Sequence, residues 1–157
     1  MGEETTALSA SWYRRQTPKD DKHKVVMNNA RNYLERKQHS PAADALWSNF
    51  AVCKRKYTVK NYTSAFSPCN ARATNEYSNR HHLAYLINVY DNPLVVQWFL
   101  EHGATVDAEA FALSQLLQWV WRSAIRNGEP VDLYLPSSRM RRLLTDWLGE
   151  SSSHKTS

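Results

Sequence analysis

The sequence predicts an α/β fold, mostly helical with few short strands. Three observations lead there. Most of the chain carries apolar residues at the i, i+3, i+4 spacing of helices that bury one face. The stretch Val131-Asp132-Leu133-Tyr134-Leu135 alternates instead, between Pro130 and Pro136, as a strand does. A second short apolar run, Ala65-Phe66-Ser67, stands among turn residues and meets Pro68, which reads as a buried strand leading into a loop. With 157 residues, 42% of them apolar and six Trp, the chain can bury one core.

The elements follow in order. Residues 1–21 are polar with mixed charge and are expected to be a flexible N-terminal segment. Residues 22–38 place Val26, Ala30, Tyr33 and Leu34 at helical spacing. Ser40-Pro41 reads as N-cap and first helical position of a helix to Tyr57, with Leu46, Trp47, Phe50, Ala51 and Cys53 inward. Residues 58–79 break the helical pattern, and a polar loop runs from Asn70 to Asn75. Leu83, Leu86, Ile87 and Tyr90 mark another helix. Asn92-Pro93 opens a further one, stopped at Gly103. The longest helical stretch runs from Asp107, a good N-cap, to Gly128, a good C-terminal stop. Ser137 or Ser138 caps a last helix with Met140, Leu143, Leu144 and Trp147 inward. Residues 22–148 thus form a single domain, and 149–157, rich in Ser, is expected to be a disordered tail.

Charge points to a class of partner. The net charge of +5 favours an anionic partner, nucleic acid first. Cys53 and Cys69 form no C-x-x-C, so a reduced, cytoplasmic protein is the simplest reading. No apolar run approaches the roughly 18 residues of a membrane span, so no membrane partner is expected. There is no phosphate loop, no G-x-S-x-G and no H-E-x-x-H. The adjacent His81 and His82 would point about 100° apart on a helix, which makes them poor co-ligands. No metal site is therefore expected.

The residues that can carry chemistry lie on the long helix. At about 100° per residue, Gln115, Gln118, Arg122 and Arg126 fall on one stripe, opposite Leu113, Leu117, Val120 and Ala124. Arginine presents a fork of donors that matches phosphate oxygens. A solvated helix face explains the same stripe. Arg72, Thr74 and Asn75 in the polar loop can donate to a nucleic-acid backbone, as can Lys54, Arg55 and Lys56 and, near the last helix, Arg139. Ordinary surface charge is the other reading of these.

Two stretches together, SPCNARATNEYSNRHHLAYLINVYDNP and ALSQLLQWVWRSAIRNGEPVDLYLPSSRMRRLLTDWL, resemble the C-terminal, second RecA-like region of superfamily 2 DEAD/DEAH-type helicase-like proteins of phages and mobile elements. The resemblance covers about Trp47 to Leu148 and implies a partial RecA-like helicase C-terminal domain. Gln118-x-x-x-Arg122 is similar to the start of helicase motif six, Q-x-x-G-R-x-x-R, whose arginines act as fingers on the γ-phosphate. Trp121 replaces the glycine, and Arg126 sits one residue late for the second arginine. The loop from Asn70 to Asn75 lies where motif five would. The resemblance implies that Gln118, Arg122 and Arg126 complete an ATP site, with ATP shared and Mg supplied through a separate N-terminal RecA-like domain or subunit. No autonomous ATPase is expected. The other expectation is a small basic nucleic-acid-binding or protein-adaptor module with no nucleotide role.

Overall fold

A computed structural model describes residues 6–17, 19–37, 39–54, 56–70 and 75–153. Three parallel strands form its centre: β1 (Ala45–Ser48), β2 (His82–Tyr85) and β3 (Asp132–Tyr134), in the order β1-β2-β3. Leu46 pairs with Leu83, and Leu83 with Leu133. Outside β1, Phe66 forms a parallel bridge with Trp47, so the sheet gains a short fourth edge. Helices cover both faces: α1 (Ala10–Arg15) and α2 (Lys22–Asn32) on the first, α4 (Ala108–Val120) and α5 (Ser138–Ser153) on the second. Between β2 and α4 lies α3 (Pro93–Glu101).

Two-sided burial explains the strands. Successive side chains of a strand point to opposite faces. Ala45 and Trp47 join the first-face core with Ala84 and Leu86; Leu46 joins the second with Leu83, Tyr85 and Ile87. A strand buried on both faces reads as a continuous apolar run and shows no alternation. The expected helix from Pro41 to Tyr57 is therefore β1 followed by a 3-10 turn at Ala51–Cys53. The expected helix around Leu83–Tyr90 is β2 and its extension. β3 lies inside the stretch that alternates in the sequence.

The N-terminal segment also departs from expectation, since Ala7, Leu8, Trp12 and Tyr13 belong to the core. Ser9 caps α1 by accepting from the Trp12 amide at 3.2 Å, and Trp12 and Tyr13 are buried. The Tyr13 hydroxyl donates to the Leu86 carbonyl at 2.8 Å, and the Asn88 amide donates to the Leu8 carbonyl at 3.0 Å. At the other end α5 continues through Gly149 to Ser153, so the start of the expected tail is helical.

The long helical stretch is interrupted. Asp107 caps it as expected, accepting from the amides of Glu109 and Ala110, but α4 ends at Val120. There the Ser123 hydroxyl donates to the Val120 carbonyl at 2.6 Å, and the Ala124 amide turns away to the Arg80 carbonyl at 3.0 Å. A 3-10 turn at Ala124–Asn127 follows and stops at Gly128, whose φ of 80° favours a residue without Cβ. Ala112, Leu116 and Trp119, not Leu117 and Leu113, are the fully buried side chains of α4.

Candidate functional site

The break in the helix creates a groove. The end of α4, the 3-10 turn, β3 and the outer half of α5 enclose about 870 Å³, with walls from Leu117, Ile125, Leu133, Leu144, Trp147 and Leu148. Trp121 lies 61% exposed at its edge. Sequence reasoning assigned Trp147 to the core; it stands 39% exposed on the groove wall instead. Gln118, Arg122 and Arg126 also line the groove, so the structure brings three of the four residues of the stripe to one place, and Gln115 is not among the lining. They arrive there from three local conformations: Gln118 is on the helix, Arg122 in the turn beyond it, and Arg126 on the 3-10 turn.

The two arginines reach different surroundings. Arg126 donates to the Asn75 side-chain carbonyl at 2.6 Å, tying the groove to the end of the polar loop. Asn127 repeats the tie by donating to the Ser78 carbonyl at 2.9 Å. Arg122 is half-buried and sits near Tyr85 and Cys69. Burial pushes the Tyr85 hydroxyl and the Cys69 thiol up from their ordinary values, while the guanidinium pulls both down by a lesser amount. Cys69 is thus held as a thiol, which is a poor nucleophile.

The expected nucleic-acid contacts do not form one patch. Arg55, Arg72 and Thr74 lie outside the described residues. Lys54 sits over the Phe66 ring at 5.0 Å, and Lys56 donates to the Gln16 carbonyl at 3.1 Å. Phe66 belongs to the first-face core, whereas Arg122 and Arg126 line the groove on the second face. Arg139 holds the carboxyl end of β2: it donates to Asn88 Oδ1 at 3.0 Å and the Val89 carbonyl at 2.6 Å, and lies over the Tyr90 ring. Those donors are spent inside the domain.

A second cluster escaped the sequence reading. At the amino ends of the strands, His81 Nδ1 lies 2.7 Å from Asp44 Oδ1 and its Nε2 lies 2.6 Å from Glu129 Oε2. His82 lies 3.5 Å from Asp44 and 3.4 Å from Asp132. The two histidines stand at the start of a strand, not on a helix, and each reaches two carboxylates. The only sequence signal was an acidic residue just ahead of two of the apolar runs, Asp44 before β1 and Glu129 before β3. No group of His, Cys, Asp or Glu among the described residues is placed to hold a metal ion. No helix among them is long and apolar enough to cross a membrane.

Comparison with known proteins gives the family. Residues 1–148 match the model of the YonV C-terminal Rossmann-like domain. The chain belongs to this family. It is 43% identical over 148 residues to the SPbeta prophage-derived protein YonV of Bacillus subtilis strain 168. That match takes in 94% of the chain but only 35% of YonV. No solved structure gives a significant match. The YonV family description accords with the three-stranded parallel sheet covered on both faces, an arrangement consistent with a partial RecA-like fold. The family match begins at residue 1 and so takes in the segment 1–21 expected to be flexible.

Proposed function

We propose that this YonV-family domain docks against a second domain through the groove between α4 and α5, and sets Gln118, Arg122 and Arg126 at the joint. The observation that carries this is the groove itself: apolar walls with Trp121 and Trp147 exposed, and cations among its lining. Large exposed apolar surface beside polar groups is the usual mark of an interaction site. The matched relative extends far beyond the matched part, which supplies a candidate for the second domain. In the helicase-like reading that domain holds ATP and Mg, and Arg122 counters charge on the γ-phosphate. The bond between Asn75 and Arg126 supports this reading, because it joins the two stretches that the helicase resemblance assigns to motifs five and six.

The second reading is an adaptor that binds nucleic acid or protein and has no nucleotide role. The end of α4 at Val120 favours it, since Arg122 and Arg126 no longer project from one straight helix as in motif six. Co-expression with the rest of a YonV-type protein separates the outcomes. The domain is expected to co-purify with it, and Trp121→Glu to abolish the complex. The isolated chain is expected to show no ATP turnover, and Arg122→Ala to abolish any turnover of the complex. Turnover by the isolated chain would sink the arginine-finger reading. A complex that forms, turns over no ATP and binds nucleic acid with steep salt dependence would establish the second.

A further inference from the structure

The second face of the sheet carries a row of hydroxyls. Ser48 and Tyr85 are the last residues of β1 and β2 and pair across the ladder. The Trp47–Phe66 bridge sets Ser67 beside Ser48. Residues level with one another in a parallel sheet point to the same side, and this side is that of Leu46 and Leu83. All three side chains are fully buried. None of the three hydroxyls has a hydrogen-bond partner among the described residues. Buried hydroxyls are almost always bonded, because leaving one unbonded forfeits its hydration for nothing. Three adjacent exceptions in one row call for a common partner.

Their place in the topology is that of a ligand site. The chain leaves β1 toward the Phe66 bridge on one side and returns to β2 on the other. The order of strands therefore reverses between β1 and β2. In open α/β sheets, ligands bind outside the carboxyl ends of strands at such a reversal. The usual glycine-rich turn is missing here. β1 runs into Asn49, Phe50 and the 3-10 turn, so side chains must do what backbone amides do elsewhere. A cation is at hand: the Arg122 amide donates to the Trp119 carbonyl at 3.2 Å, and the Trp119 ring donates to the Ser67 carbonyl at 3.3 Å and lies 5.2 Å from the Tyr85 ring.

We propose that Ser48, Ser67 and Tyr85, together with Arg122, bind a phosphate group at the carboxyl ends of β1 and β2. A phosphate accepts hydrogen bonds on at least three oxygens, one for each hydroxyl, and its charge matches the guanidinium. A carboxylate could accept three hydrogen bonds only by sharing one oxygen between two donors, whereas a phosphate gives each donor its own oxygen. The source is free phosphate or the phosphate of a nucleotide. This site does not require the docking partner: it is read in the isolated chain, whereas docking is read by co-purification.

The test is calorimetric titration of the 157-residue chain with inorganic phosphate and with ATP, at fixed ionic strength with chloride as the control anion. Saturable binding is expected. Tyr85→Phe and Ser67→Ala are each expected to weaken it about tenfold, as loss of a hydrogen bond to a charged group does, with thermal unfolding retained. Tighter binding of ATP than of phosphate assigns the site to a nucleotide phosphate; equal binding assigns it to the free ion. Should Tyr85→Phe fail to fold, Ser67→Ala and Ser48→Ala decide by the same titration. No saturable binding of either probe, or affinity unchanged in the folded variants, overturns the proposal.

Discussion

His81 shows what one side chain does at the amino edge of the sheet. Its ring bridges Asp44, ahead of β1, and Glu129, ahead of β3. The hydrogen bonds to Asp44 and then to Glu129 hold its pKa above the ordinary histidine value. A folded-state pKa raised above the unfolded one contributes stability that is fully present below the unfolded value. That contribution is lost as pH rises through the folded value. The expected outcome is that His81→Ala lowers the melting temperature more at pH 5.5, below the ordinary histidine pKa of about 6.5, than at pH 9. Melting curves of both proteins across that range check it, and equal losses at both ends would remove His81 from the account. Trp119 acts by packing instead. It is fully buried, lies against Tyr85 with ring centroids 5.2 Å apart, and donates to the Ser67 carbonyl at 3.3 Å. Trp119→Ala is expected to cost about 3–5 kcal/mol in denaturant titrations, the range for emptying a buried aromatic site.

At the scale of elements, three end caps and β3 were legible, and β1 and β2 were not. Asp107, Gly128 and Ser137 act as residue chemistry alone says: the first accepts two amides, the second takes positive φ, and the third accepts from the Met140 amide at 3.3 Å. Asp107→Ala is therefore expected to cost about 1 kcal/mol of stability by denaturant titration. β1 and β2 escaped because short runs buried on both faces cannot be told from helix by periodicity. The end of α4 escaped for a different reason. The bond from Ala124 to Arg80 joins residues far apart in the chain, and no local signal marks it. The site was legible in the same uneven way. Gln118, Arg122 and Arg126 do converge, whereas Arg139, chosen for its charge, turned out to hold the end of β2 through partners only the fold supplies. α3 poses a separate case. Asn92 caps it, yet it has no buried residue, and Leu94, Trp98 and Leu100 are each more than half exposed. Leu94→Glu with Trp98→Glu is expected to change unfolding free energy by no more than about 0.5 kcal/mol per site, as for surface positions. A large loss in denaturant titrations would mean that α3 is packed in solution.

At the scale of the whole molecule, the decisive question is where the domain starts. A polar, charged composition made residues 1–21 look dispensable, but composition averages away the few side chains that matter. Leu8, Trp12 and Tyr13 are all buried in the first-face core with Trp47, Ala84 and Leu86. At about 2 kcal/mol per large side chain, their burial contributes roughly 6 kcal/mol. That is comparable with the whole stability of a small domain, about 5–15 kcal/mol. The bonds from Asn88 to Leu8, from Tyr13 to Leu86 and from Tyr57 to Tyr13 also end when the segment is removed, and lost buried hydrogen bonds add to the cost. A chain beginning at Asp20 is therefore expected to lose cooperative unfolding in urea and to bind a dye for exposed apolar surface. A chain beginning at Thr6 keeps every one of these contacts and is expected to retain cooperative unfolding. If the shorter chain instead unfolded cooperatively at an unchanged midpoint, the first face would have to be closed by α2 alone. The N-terminal segment would then be an accessory to the Rossmann-like domain and not part of its core.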